Sequence, residues 1–187
     1  MINFRYVKFK NFLSTGNVVT NIQLDRSPNT LVIGENGAGK STMLDALCFA
    51  LFGKPFRKIK KSQLVNSVNL KDALVEVEFG IGRINYKIIR GLKPNKFEIY
   101  ANGKLLDQTA SVRDYQEYLE KNILKLNFTS FTQIVILGSS TFVPFMQLPA
   151  NQRREIIEDL LDIKIFTAMN ILLKEKVQSN KENIQEI

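Results

Sequence analysis

The sequence has no histidine and a single cysteine among its 187 residues. Without histidine no imidazole is on hand for sensing or proton transfer anywhere in the chain. One cysteine, Cys48, excludes an internal disulfide framework and fits a reducing cytoplasm. Cys48 falls on the apolar face of an expected helix, so it reads as a packed core thiol. Long hydrophobic runs are also missing: none approaches the ~20 residues needed to span a bilayer. The opening residues MINFRYVKFKN alternate apolar and basic side chains, the pattern of a strand and not of a signal peptide. From Asn151 onward the chain has neither glycine nor proline.

What is present is a basic, ordinarily apolar chain. It is 44% hydrophobic and 24% charged, with a net charge of +8. That composition suits one globular domain with a sizeable core, plus an appendage. The charge is uneven. Residues 1–150 carry 20 basic against 11 acidic side chains, and residues 151–187 carry 6 against 7. A basic body with a neutral extension points to a polyanionic partner, nucleic acid first.

Pattern divides the chain. INFRYVKF and NVVTNIQL read as strands, and NTLVIG, a short unbroken apolar run, as a fully buried strand. A helix is expected from about Ser41 to Phe52, because Leu44, Leu47, Cys48 and Leu51 share one face, with Gly53 past its end and Pro55 beyond. Ala73 to Leu106 reads as antiparallel β structure with hairpin signals at FGIGR and ANGK. SVRDYQEYLEKNI reads as a helix opened by a serine cap. FTQIVIL reads as another buried strand ending in the loop GSST. Beyond Asn151, Phe166, Met169, Leu173, Val177, Asn180, Ile184 and Ile187 are spaced 3, 4, 4, 3, 4, 3, which is coiled-coil spacing with one slip. A terminal amphipathic helix packed on the domain is the other reading of that segment.

Gly34-Glu35-Asn36-Gly37-Ala38-Gly39-Lys40-Ser41 fits G-x-x-x-x-G-K-[ST]. The glycines let successive backbone N–H groups turn inward, and the following helix adds the positive end of its dipole. Lys40 suits the β- and γ-phosphates of a nucleotide, and the Ser41 hydroxyl suits Mg²⁺. Hydrolysis requires more: a carboxylate at the end of an apolar strand, and a group that positions water. No such strand is evident. Glu76 and Glu78 of ALVEVEF alternate with apolar residues and lie on one solvent-facing side, while the acids of IIEDLLD fall at helical spacing. A base-reading N-K-x-D motif is absent, since NKFE and NKEN do not supply it.

FKNF, IGENGAGKSTMLDAL, KPFRKIKKSQLVN, FTQIVILGSSTFVPFM and RREIIEDLL, in that order and followed by a coiled-coil pattern, resemble the N-terminal half of the SbcC-type DNA repair ATPases. These are SMC-like members of the ABC-ATPase class. The resemblance implies an α/β fold: the N-terminal lobe of a P-loop ABC-type ATPase head over residues 1–150, with an antiparallel β region, and the start of a coiled coil over 151–187. It implies ATP and Mg²⁺ as cofactors, homodimerisation through ATP, and a C-terminal ATPase half that carries the Mg²⁺-binding Asp, the catalytic Glu and the switch His. It further implies double-stranded DNA and a metallonuclease subunit near the coiled-coil base as partners, and no membrane. ATPase activity would belong to the full-length dimer, and the present chain alone would bind nucleotide weakly and turn over essentially none.

Residue by residue, the resemblance gives Asn36, Gly37, Ala38, Gly39, Lys40, Ser41 and Thr42 as the phosphate cradle and Ser14 as a second approach to the nucleotide. Relatives often have Arg where this chain has Leu13. Val65, Asn66 and Ser67 would lie beside the adenine; as plain sequence the segment is a connecting loop. Ser139 falls where a Gln would complete the Mg²⁺ shell, and Gln133 is the nearest glutamine. The run GKPFRKIKK, with Lys54, Arg57, Lys58, Lys60 and Lys61, is either a solvated face or a sequence-independent contact to duplex DNA. Two other functions remain open: an SMC-like clamp or recombination mediator without a nuclease partner, and a small P-loop kinase, for which neither a lid nor an acceptor site is visible.

Overall fold

The computed structural model describes residues 2–106, 112–137, 143–161 and 163–185. The chain forms two compact units, residues 1–124 and 125–187.

The first unit is built on one antiparallel sheet. Strands β1 (Ile2–Lys10), β2 (Thr20–Gln23), β3 (Ala73–Ile81), β4 (Ile84–Leu92), β5 (Lys96–Ala101) and β6 (Lys104–Leu105) lie in the order β2-β1-β3-β4-β5-β6. Alternation decides which face is buried. Val7, Phe9, Val75, Val77, Phe79, Ile88 and Ile99 point to the interior. Tyr6, Lys8, Glu76 and Glu78 point the other way, where Tyr6 donates to Glu76 at 2.6 Å and Arg5 pairs with Glu78 at 3.0 Å. Both acids are thus committed to the outer face of the sheet. The β3–β4 and β5–β6 connections need left-handed backbone at Gly82 (φ 58°) and at Asn102 and Gly103 (φ 48° and 79°), the residues that marked these hairpins in the sequence.

Helix α1 (Lys40–Phe52) packs on the inner face, against β1, β3 and β4. It ends at Gly53, whose left-handed conformation (φ 71°) lets its N–H reach the Phe49 carbonyl at 2.9 Å. The apolar stripe seen in the sequence understates its burial: every residue from Asp45 to Phe52 is buried. Cys48 is fully buried, and burial together with the Asp45 charge pushes its thiol up to about 12. Helix α2 (Val112–Tyr118) continues into a π-helical turn, Leu119–Leu124. The serine expected to cap it, Ser111, lies outside the described residues.

Two expected strands are corrected. NTLVIG forms no strand: Leu31 and Ile33 are each 84% exposed. A buried central strand needs a neighbour on each edge, and none of the six strands pairs with this segment. NVVTNIQL keeps only Thr20–Gln23 as strand, with Val18 and Val19 exposed.

A third correction lies in the other unit. FTQIVIL is mostly helix α3 (Phe128–Ile134). Asn127 caps it by accepting from the Ser130 N–H at 2.8 Å, and Thr132 bonds back to the Phe128 carbonyl at 3.0 Å. A short apolar run does not distinguish strand from buried helix, and the cap decides here. The expected loop GSST lies outside the described residues. Helices α4 (Ala150–Leu161) and α5 (Lys164–Gln185) complete the unit. Along α5, Phe166, Met169, Leu173 and Val177 are all exposed. The side chain of Ile184 and the whole of Ile187 lie outside the described part of the chain.

Candidate functional site: a phosphate loop between two turns

Three segments of the first unit meet at the start of α1. The loop 34–39 supplies the first wall. Gly37 and Gly39 hold φ of 88° and 93°, which side-chain-bearing residues adopt only under strain. Gly39 is the N-cap of α1, and no side chain caps the helix there. Its first turn holds no acidic residue. The positive end of the helix dipole is therefore left for an external anion, while the Thr42 N–H bonds the Gly39 carbonyl at 2.9 Å. Lys40 folds over the loop, donating to the carbonyls of Gly34 (2.5 Å) and Glu35 (2.7 Å).

The second wall is the turn after β1. Asn11 and Leu13 both have left-handed backbone (φ 50° and 51°), with Phe12 buried between them. Thr15 closes the turn by donating to the Phe12 carbonyl at 2.7 Å. The segment 64–66 fastens it from outside. Leu13 N–H bonds the Leu64 carbonyl at 2.7 Å, Asn66 N–H bonds the Asn11 carbonyl at 2.8 Å, and the Asn66 side chain donates to the Leu13 carbonyl at 3.1 Å. Phe12 pairs with Val65 through a backbone bridge, and its ring lies tilted against Phe49, centroids 5.4 Å apart. The turn that presents Ser14 is thus tied to segment 64–66 and packs on α1 through Phe12 and Phe49.

The third wall is the segment after α1. Asp45, wholly buried, receives the Arg57 backbone N–H on Oδ1 at 3.2 Å and Arg57 Nε on Oδ2 at 2.6 Å, and Arg57 Nη2 pairs with the same oxygen. A buried carboxylate without such partners would be severely destabilising.

Between these walls lies a cleft of about 370 Å³. Of the residues expected to bind nucleotide, it brings together Ser14, Asn36, Gly37, Gly39, Lys40, Ser41 and Thr42. Ala38 lines an adjoining pocket of about 400 Å³ with Val32 and Ile33. Val65 and Asn66 are buried behind the turn and do not line the cleft, and Ser67 is exposed beside them. Ser139 lies outside the described residues. Gln133 sits in α3 with Oε1 buried and without a hydrogen-bond partner among the described residues. Lys54, Lys58, Lys60 and Lys61 are not buried, whereas Arg57 turns inward and lines the cleft with Leu13 and Ile59. Sequence reading missed that role for Arg57. The signal was Asp45, an acid amid the buried residues of a helix, which demanded a cation nearby.

The Ser41 hydroxyl is the group at the cleft suited to Mg²⁺; among the described residues no cluster of three or more His, Cys, Asp or Glu could hold a metal ion. No helix among the described residues is long and apolar enough to cross a membrane.

Comparison with known proteins agrees with this geometry. The profile of an AAA-domain family matches residues 6–187. Exonuclease subunit 2 of Enterobacteria phage T4 is 47% identical over 176 residues, 93% of this chain and 31% of that protein. The DNA double-strand break repair Rad50 ATPase of Thermoplasma volcanium is 27% identical over 186 residues, covering 96% of this chain and 20% of that protein. The chain therefore spans about a third or less of the length of these relatives. Among solved structures, the Smc head domain with a coiled coil and joint from Pyrococcus yayanosii superposes with a TM-score of 0.59 at 20% identity, over 98% of this chain and 37% of that one. A structure reported for ATP-driven dimerization and DNA stimulated activation of SMC ATPases gives a TM-score of 0.56 at 19% identity, over 84% of this chain and 99% of that one. With its phosphate loop, its antiparallel sheet and a family profile that matches nearly its whole length, the chain belongs to the AAA-domain family.

Proposed function

We propose that this chain is the nucleotide-binding segment of a DNA repair and recombination ATPase that drives a nuclease. The observation that carries this reading is the cleft itself. An uncapped helix N-terminus, two left-handed glycines and Lys40 converge on a space whose remaining walls come from two well-anchored segments. ATP enters phosphates first. Backbone N–H groups of residues 36–42 and the Lys40 ammonium take the β- and γ-phosphates, and the Ser41 hydroxyl holds Mg²⁺, with Ser139 as a further candidate. Mg²⁺ supplies charge neutralisation of the triphosphate when bound.

The catalytic carboxylates come from a C-terminal ATPase half, and two heads close around ATP as a homodimer. The exposed apolar run 31–33 supports a further strand or lobe covering it, and the exposed apolar residues of α5 support a coiled coil. Double-stranded DNA binds through backbone phosphates on Lys54, Lys58, Lys60 and Lys61, and a metallonuclease partner is regulated by opening and closing of the heads. The lone, buried cysteine supports a cytoplasmic location.

The test is equilibrium binding of ATP to the chain with Mg²⁺, before and after Lys40→Ala. Loss of a charge-assisted contact to phosphate weakens binding by about tenfold or more. Equal affinities for the two proteins would remove the phosphate-loop assignment.

A further inference from the structure

Arg57 belongs by composition to the basic run, yet its geometry sets it apart from the neighbouring lysines. Its Nε and one Nη are committed to the buried carboxylate of Asp45, which lies on α1 five residues past Lys40. Nη1 is left unclaimed by that carboxylate, 37% of the Arg57 side chain remains exposed, and the residue lines the nucleotide cleft. Ile59 lines the same cleft, its N–H bonded to the Arg57 carbonyl at 2.8 Å in a tight turn.

The phosphate loop already supplies the donors that a β- and γ-phosphate require. The rest of the lining comes from Leu13 and Ser14 on one turn and from Arg57 and Ile59 on the other. A nucleotide extends beyond its terminal phosphates, and these four residues are the lining left for the rest of it.

We propose that Arg57 is a nucleotide-contacting residue that donates from the free edge of its guanidinium to the α-phosphate and ribose, with Leu13 and Ile59 enclosing the base. This rests on the nucleotide reading above. Asp45 fixes the plane of the guanidinium before ligand arrives, so little side-chain entropy is lost on binding. Because Asp45 also balances its charge, Arg57 contributes directed hydrogen bonds more than net charge. A lysine there could pair with Asp45 or reach the ligand, but it lacks the fork to do both.

The experiment compares ATP with inorganic pyrophosphate, which stands for the β- and γ-phosphates alone, both with Mg²⁺, on the full chain and on Arg57→Met, Arg57→Lys and Lys40→Ala. Arg57→Met is expected to weaken ATP about tenfold, one hydrogen bond to a charged group, and to leave pyrophosphate within roughly twofold. Arg57→Lys is expected to recover only part of the loss. Lys40→Ala weakens both ligands. Equal weakening of both by Arg57→Met would overturn the proposal, because Arg57 would then act only by supporting Asp45 and α1. Unchanged ATP affinity would overturn it too. If Arg57→Met does not fold, Arg57→Lys alone decides by the same comparison of the two ligands. A wild-type chain that binds neither ligand, or a Lys40→Ala variant that binds both normally, would instead remove the nucleotide reading on which the proposal stands.

Discussion

At the scale of residues, charge alone is a poor guide to role. Five cations fall between Lys54 and Lys61, and the sequence treats them as one patch. Burial separates them, since a carboxylate inside α1 recruits the nearest guanidinium and leaves the lysines in water. Val65 and Asn66 are placed behind the turn for a related reason: Val65 is buried against Phe12, and a side-chain amide such as that of Asn66 goes where buried backbone groups need it. Asn66 accepts from the N–H groups of Val68 and Asn69 and donates to Leu13, so its effect on the cleft runs through the Ser14 turn. For the lysines, pairing with DNA backbone makes a specific forecast. Changing Lys58, Lys60 and Lys61 together to Glu weakens binding to duplex DNA and flattens the salt dependence, by close to one unit of log–log slope for each phosphate that no longer has a lysine beside it. Titrations at several salt concentrations measure it, and unchanged affinity and slope would remove these residues from the interface.

Elements were legible where local chemistry and tertiary demand agree. The hairpins at Gly82 and at Asn102 and Gly103 need positive φ, and the residues present allow it. The end of α1 at Gly53 follows the same logic. The strands that alternate did so because one sheet face is buried and the other wet. The two continuous apolar runs were not legible, because lack of period leaves the element type undecided. For FTQIVIL the deciding feature is Asn127, which caps α3 and also donates to Glu155 at 2.6 Å. Asn127→Ala therefore destabilises the second unit by about 1 kcal/mol, the usual cost of an N-cap, read as a lowered midpoint in urea unfolding. A midpoint equal to the wild type would show that α3 is held by packing alone.

At the scale of the whole molecule, the phosphate loop and its order among the other motifs disclosed the family. The sequence also lacked a strand ending in a catalytic carboxylate; what it did not disclose was that the apolar segment before the loop lies exposed and unpaired with the described strands. The apolar segment before the loop is exposed, α5 shows an uncovered apolar stripe, and Glu76 and Glu78 pair with Arg5, Lys8 and Tyr6 on the outer face of the sheet. The proposed function gives these features one explanation, a nucleotide site assembled from two halves. It is tested most directly by steady-state ATP hydrolysis of the chain by itself, with Mg²⁺ and nucleotide in excess. A half-site predicts ATP binding that depends on Lys40, with no turnover above the uncatalysed background. Turnover that Lys40→Ala abolishes would contradict it.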